Sequence, residues 1–209
     1  MILCMFSPKE RRLERGWPGR IEGDRVIQLA AQTLQSFFTG GGQAREHDEH
    51  PLAEVELRAP VLHPPAVRIF GAGDFAFANP AAIVGPEDVV RLPDGVEEVV
   101  PVVRQTAIVG ADGAIGAYTL LVEWTAPALE GAKRTDFALT LGPYAVTQEE
   151  TPGMNFEPLR ELAERNTRLL PGDLLAEPVG DELAPARAGS VVEAGLLPFG
   201  LLRIRVEAR

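Results

Sequence analysis

The 209-residue chain carries 30 acidic and 20 basic side chains, a formal net charge of −10, and 45% of its residues are hydrophobic. A chain of this length and composition can bury one sizeable core, so we expect a soluble globular protein. The acidic balance argues against nucleic acid and anionic membranes as partners, because both need a dense basic surface. We therefore expect no nucleic-acid partner and no membrane partner.

The first six residues, MILCMF, are apolar but far too short to span a membrane, and no basic residue precedes them. We expect a buried strand here and, by default, a cytoplasmic location. Cys4 is the one cysteine of the chain and cannot form an internal disulfide. Its apolar neighbours favour a buried structural thiol over a nucleophile.

Glycine and proline divide the chain into many short apolar runs, which is typical of a β-rich fold. We expect an α+β fold that is predominantly β, with a small N-terminal domain and linker over residues 1–58 and a β-rich domain over 59–209. In the first unit, MILCMF and GRIEGDRVIQLA predict strands, and AAQTLQSFF predicts a short helix that stops at Gly40. Residues 40–59 are polar and open with three glycines, which predicts a linker or exposed loop.

One segment of the second unit is helical, because NFEPLRELAERNTRLL places apolar side chains from Phe156 to Leu169 on one stripe. The other apolar segments suit strands; they are VRIFGAG, AAIVGPEDVVRLP, VEEVVPVVRQTAIVG, AIGAYTLLVEW, DFALTLGPYAVT and GSVVEAGLLPFGLLRIRVEA.

Two of these runs, VEEVVPVVRQTAIVG and AIGAYTLLVEW, predict a β-hairpin that turns at Asp112-Gly113, a pair that tolerates positive φ at both positions. Such a turn sets Val102 opposite Glu123 and puts Arg104 on the same face, one diagonal step away. Diagonal neighbours are within reach of long side chains, so we expect at least a cross-strand salt bridge between Arg104 and Glu123.

Several blocks, in chain order, resemble the fumarylacetoacetate hydrolase family. They are IEGDRVIQL, LRAPVLHPPAVRIFGAG, AAIVGPEDVVRLP, KRTDFALTLGPYAVT, LLPGDLL and AGSVVEAGLLPFGLLRIRV. The resemblance implies the family's mixed β-sandwich or roll behind a small N-terminal domain, usually as a homodimer. It also implies a divalent cation, commonly Mg²⁺, and the hydrolysis, isomerisation, hydration or decarboxylation of small 2-oxo or 1,3-dicarbonyl acids.

The family holds its cation with a Glu-x-Glu pair on one strand and an Asp on a later strand, because Mg²⁺ is bound through carboxylate oxygens. Matching TAIVG and AYT to the family places Val102 and Arg104 at the two Glu positions and Glu123 at the Asp position. The resemblance therefore implies a shortened and degenerate member without a metal, in which Glu123 is the remaining carboxylate; Mg²⁺ or Mn²⁺ is expected if the protein is active. On this interpretation Arg104 occupies the cation's place and could receive the carboxylate of a ligand.

Other family parts are altered as well. The catalytic His and Glu have no counterpart in FGAGDFAFANP, where Phe77 falls near the His position, and the substrate loop reads AEPVG. Lys133 and Asp136 match the family's Lys-x-x-Asp and are the residual candidates for catalysis, while Lys133 and Arg104 are the candidates for ligand binding. A solvated ion pair on a loop is the alternative for Lys133 and Asp136.

HDEH has its two imidazoles, His47 and His50, at a spacing that one helical turn could bring to a metal. Its polar, glycine-led surroundings favour a solvated loop instead. His63 lies between apolar residues and two prolines, which favours a structural role.

We therefore predict a fumarylacetoacetate hydrolase-family protein that has lost metal-dependent catalysis and acts as a binding or structural relative. Its expected partners are a small 2-oxo or dicarboxylic acid and a second copy of the chain. One alternative is an active hydrolase, isomerase or decarboxylase with a rearranged site. Another is a non-catalytic subunit that pairs with a full-length family member.

Overall fold

The computed structural model describes residues 1–71, 73–180 and 182–209. Ala72, which belongs to the predicted strand VRIFGAG, lies outside the described residues. The elements are β1 (Ile2–Pro8), β2 (Trp17–Glu22), β3 (Arg25–Leu29), α1 (Leu34–Thr39), β4 (Glu46–Pro51), β5 (Val55–Arg58), β6 (Val67–Phe70), β7 (Phe75–Ala78), β8 (Ile83–Val84), β9 (Val90–Arg91), β10 (Glu98–Val109), β11 (Ile115–Thr125), β12 (Leu139–Leu141), β13 (Ala145–Val146), α2 (Glu157–Glu164), β14 (Leu174–Pro178), β15 (Ala186–Arg187), β16 (Val191–Gly195) and β17 (Leu201–Glu207).

The strands form one large mixed sheet and one small sheet. The large sheet has 14 strands, with the path β4-β3-β2-β1-β13-β11-β10-β14-β6-β7, and the small sheet has the order β16-β17-β9. The predominantly β fold expected from the glycine and proline spacing is confirmed. Antiparallel pairing of β1 with β13 joins the strands of the first predicted unit to the rest of the sheet. The division into domains at residue 58 remains a prediction.

The β10–β11 hairpin lies at the centre of the large sheet and is covered on both faces. Val103, Leu120 and Val122 pack into the larger apolar cluster on one face. Ile108 and Leu121 pack into a second cluster on the other face. We call this second side, with Arg104, Thr106 and Glu123 of the hairpin, the Arg104 face. Burial on both faces explains why these strands are nearly continuous apolar runs.

The hairpin turns where the sequence predicts, at Asp112 and Gly113. Both residues have positive φ angles, of 52° and 77°. The predicted register also holds along most of the hairpin, but Val109 pairs with Ile115 rather than with Gly116. A β-bulge therefore inserts one residue into β11, and the Gly110 N–H bonds the Ala114 carbonyl at 2.7 Å. The bulge was not visible in the sequence, because it lies next to the turn and leaves the apolar alternation of the strand before Ile108 unchanged.

The polar segment 40–59 is not a plain linker. It contains β4, which pairs with β3 at the edge of the large sheet, and β5, which pairs with β1. Because an edge strand faces water, its side chains can be charged, and this hid β4 from a pattern based on apolar alternation. Ion pairs of Arg25 with Glu49 and of Arg20 with Glu46 cross this edge.

The second helix is shorter than its apolar stripe. The stripe extends from Phe156 to Leu169, and both residues are buried, but α2 ends at Glu164. Asn166 has a φ of 63°, a left-handed conformation that turns the chain out of the helix. Leu169 thus reaches the core from the following turn. Neither α2 nor any other helix in the described ranges is long and apolar enough to cross a membrane.

Candidate functional site

The hairpin brings Arg104 and Glu123 together on the Arg104 face. Val102 pairs with Glu123 across the two strands, and Arg104 pairs with Leu121. The guanidinium donates Nε–H to Glu123 Oε2 at 2.8 Å, and its Nη2 lies 2.6 Å from the same oxygen. The two side chains are only 12% and 11% exposed, so this is a largely buried ion pair rather than a surface one.

Two polar atoms on the Arg104 face have no hydrogen-bond partner among the described residues. They are Arg104 Nη1 and Thr106 Oγ1, and Thr106 is 0% exposed. Leaving a buried donor or acceptor unpaired costs about 1–3 kcal/mol, so an added oxygen would be stabilised here. The face thus retains hydrogen-bonding capacity beyond the ion pair.

The segment that the resemblance matches to the family's substrate loop runs beside this face. Ala176 and Pro178 belong to β14 and pair with Thr106 and Arg104, respectively. The AEPVG string therefore begins as a strand rather than as a loop. It supplies an alanine methyl and a proline ring, and no side-chain hydrogen bond donor, next to Arg104 and Thr106.

The side chains of the Arg104 face do not fit a divalent cation. Between Val102 and Ile108 the paired hairpin presents one carboxylate on this face, that of Glu123, and one of its oxygens already receives both guanidinium contacts. Mg²⁺ and Mn²⁺ need several hard oxygen ligands, and the fixed positive charge of Arg104 repels a second cation. In the part of the chain that the structure describes, no three His, Cys, Asp or Glu side chains are grouped to hold a metal.

Lys133 and Asp136, the two candidates for catalysis, line a cavity that does not include Arg104. Lys133 lies in a short 3₁₀ turn, Gly131–Arg134, and Asp136 follows it; Lys133 Nζ lies 2.8 Å from Asp136 Oδ2. Lys133 is 79% exposed, and both residues line a cavity of about 370 Å³ that Arg91 and Arg209 also line. Arg104 is not part of that lining. The structure therefore pairs Lys133 with Asp136 but does not bring Lys133 and Arg104 to one cavity.

The other residues singled out in the sequence, His47, His50 and Cys4, do not come together in one site. His47 and His50 lie on β4 rather than on a helical turn. The His50 ring packs 5.3 Å from Phe6 and 6.3 Å from Trp17, whereas His47 is exposed. Cys4 is buried, and its desolvation raises the pKa of the thiol, as is typical of a structural cysteine.

The sequence interpretation missed a second and more buried ion pair. Arg68 Nη1 lies 2.9 Å from Asp173 Oδ2, with side-chain exposures of 6% and 2%. The guanidinium carbon also lies 5.8 Å and 5.3 Å from the ring centres of Phe75 and Phe77. A charged residue inside the apolar run VRIF, and another at the start of DLL, were the available signals. Neither identifies its partner, which is more than 100 residues away.

A scan against protein-family models and a search of curated proteins each find no match. Solved structures do match. The maleylpyruvate hydrolase of Sphingobium sp. SYK-6 superposes with a TM-score of 0.81 at 18% identity, over 100% of both chains. The 2-hydroxyhepta-2,4-diene-1,7-dioate isomerase of Mycobacterium marinum gives 0.79 at 18%, over 100% of this chain and 99% of that one. A 2-keto-3-deoxy-D-arabinonate dehydratase gives 0.81 at 15%, over 100% and 99%.

These similar structures are fumarylacetoacetate hydrolase-family enzymes, so the chain has the fold of that family. The mixed β-sandwich or roll expected from the resemblance is confirmed. At identities of 15–18% the likeness establishes the fold alone. That the chain is shortened and degenerate remains an interpretation of its sequence blocks.

Proposed function

We propose that this protein is a fumarylacetoacetate hydrolase-fold relative without metal-dependent catalysis, which binds a small acid or serves a structural role, as a homodimer. The observation that carries the proposal is the Arg104–Glu123 pair. It stands at the positions where the resemblance puts two metal ligands, and its guanidinium already neutralises the one carboxylate there.

The charge of Arg104 supports the proposal that a guanidinium replaces the metal ion. A guanidinium is always protonated in proteins, so Arg104 supplies a permanent positive charge without needing a metal. It holds Glu123 through two contacts and leaves Nη1 without a partner among the described side chains. A ligand carboxylate that bonded Nη1 would gain a charge-assisted hydrogen bond.

The class of acid follows from what similar structures contain. The maleylpyruvate hydrolase has been solved with manganese and pyruvate, and the dehydratase with magnesium and 2,5-dioxopentanoate. Small 2-oxo or dicarboxylic acids are therefore the ligands we propose for this chain. In our proposal the acid meets Arg104 directly rather than through a metal ion.

The test is a turnover assay on oxaloacetate, an acylpyruvate and a 1,3-dicarbonyl acid, with 1 mM Mg²⁺ or Mn²⁺ present. We expect no turnover above the rate of the uncatalysed solution, because the Arg104 face offers one carboxylate where a metal needs several. Metal-stimulated turnover of any of these acids by purified protein would overturn the proposal.

An active enzyme with a rearranged site is the second candidate, favoured by the ion-paired Lys133 and Asp136 at the edge of a cavity. In that case Lys133→Ala would abolish turnover of the acids in the same panel. Stability cannot confuse this result, because an exposed ion pair contributes at most about 1 kcal/mol. Arg134→Ala, on the same short turn, is the matched control and should keep full turnover.

A further inference from the structure

A candidate binding site lies in the N-terminal part of the fold, away from the hairpin. Two hollows, of about 720 Å³ and about 190 Å³, share Arg15 in their linings. We call them together the Arg15 cleft. The larger one is formed by the loop before β2, the end of β3 with the residues after it, and His47 of β4. The larger hollow is shallow and open to solvent, and its volume is comparable to that of small-molecule sites, about 300–1,000 Å³.

The wall of the cleft contains a fixed aromatic ring. Trp17 packs edge-on against Phe6, with ring centres 6.0 Å apart, and lies 6.3 Å from His50. Gly16 has a φ of +75°, and a Cβ there would lie 2.6 Å from the Phe6 carbonyl oxygen, so only glycine lets the loop approach β1 this closely. Gly16 thereby lets the loop between Arg15 and Trp17 lie directly on β1.

The polar side chains of the larger hollow are not used elsewhere in the described fold. The four are Arg15, Gln28, Gln32 and His47. None of these side chains makes a hydrogen bond or ion pair to a described residue, although the neighbouring loop residue Arg12 is paired with Asp88 and Glu56. Arg15, Gln32 and His47 are exposed and Gln28 is half-buried, so their polar groups face solvent and can reach a ligand in the hollow.

The orientation of His47 has a local cause. Ile27 pairs with Glu49 and Leu29 with Glu46, so two residues of β4 stand opposite Gln28 alone. Such a bulge redirects a side chain, and Gln28 and His47 both line the hollow as a result.

The charge of the cleft points to an anion. Although 30 of the 209 residues are acidic, neither hollow has an Asp or Glu in its lining. Arg15 and two of the three histidines, His47 and His63, do line it. Glu46, next to His47 along β4, is held by Arg20 at 2.8 Å.

We propose that the Arg15 cleft binds a small aromatic or conjugated carboxylate. The ring would lie against Trp17 and the aliphatic side chains of Leu13 and Leu29, and the carboxylate would bond Arg15. Gln28, Gln32 and His47 would bond polar substituents of the ring. This site is separate from the Arg104 face and does not depend on the function proposed for it.

Isothermal titration with benzoate tests the proposal. The wild-type protein should bind benzoate, and Arg15→Gln should weaken binding by about threefold to fivefold, since an ion pair made by an exposed side chain is worth up to about 1 kcal/mol. Benzamide, which has the same ring without the charge, should bind about threefold to fivefold more weakly than benzoate for the same reason.

Two control variants locate the site. Arg11→Gln removes the same charge from the same loop but not from the cleft, and it should leave benzoate affinity unchanged. Arg203→Gln removes an exposed arginine that lines neither hollow, and it should also leave benzoate affinity unchanged. The proposal is overturned if benzoate does not bind, if Arg15→Gln binds it as well as wild type does, or if Arg11→Gln loses as much affinity.

Discussion

Asp173→Ala is expected to lower the free energy of unfolding by about 3–5 kcal/mol, the cost of leaving one member of a buried ion pair without its partner. Arg68 is 6% exposed and would keep its charge, because a guanidinium cannot be deprotonated in a protein. The same substitution frees the Leu170 N–H, which donates to Asp173 Oδ2 at 3.1 Å. Urea denaturation, followed by circular dichroism, measures the change.

Two companion variants make the Asp173 result specific. Asp94→Ala removes a carboxylate of the same kind from an exposed pair with Arg209, and it should cost less than about 1 kcal/mol. Arg68→Leu/Asp173→Leu should recover most of the loss, since an apolar pair leaves no charge buried. If Asp173→Ala were as mild as Asp94→Ala, the pair could not be buried as the structure has it.

Arg104→Leu is expected to cost about 3 kcal/mol by the same mechanism, because Glu123, whose side chain is 11% exposed in wild type, would lose both contacts to its carboxylate. The paired change Arg104→Leu/Glu123→Leu should restore stability to within about 1 kcal/mol of wild type. The new side chains would extend an apolar surface that already includes Leu121 and Leu139. Thermal and urea unfolding of the three proteins form a double-mutant cycle.

The paired variant also tests the proposed ligand class. It removes the guanidinium without leaving a buried charge, so a rise in Tm that pyruvate or oxaloacetate causes in wild type should disappear in the variant. If both proteins responded equally to the acid, Arg104 would not be its binding group.

The central hairpin could be predicted residue by residue as far as the Ile108–Ala117 pair, because two local signals agree. Asp112-Gly113 fixes the turn, and strict alternation then determines which side chains meet. The edge strand β4 could not be predicted, since its charged side chains resemble a loop. The end of α2 was also missed, because the apolar stripe continues to Leu169 after the backbone has left the helix at Glu164.

The candidate sites show the same limit. Arg104 and Glu123 are near in register, so the sequence alone could place them together. Arg68 and Asp173 meet through parallel pairing of β6 with β14, a long-range contact that carries no local turn signal. The Arg15 cleft depends on loops and a bulge, which periodicity does not describe.

The most direct test of the central claim, that Arg104 takes the place of a cation, is a titration of Mn²⁺ followed by thermal unfolding. It compares wild type with Val102→Glu/Arg104→Glu, which puts three carboxylates on the Arg104 face with Glu123. Binding at one hundred times the Kd stabilises by about 2.7 kcal/mol, so the variant should gain about 5 °C or more in Tm while wild type does not change. Stoichiometric metal in purified wild type, or an equal rise in its Tm, would contradict the account.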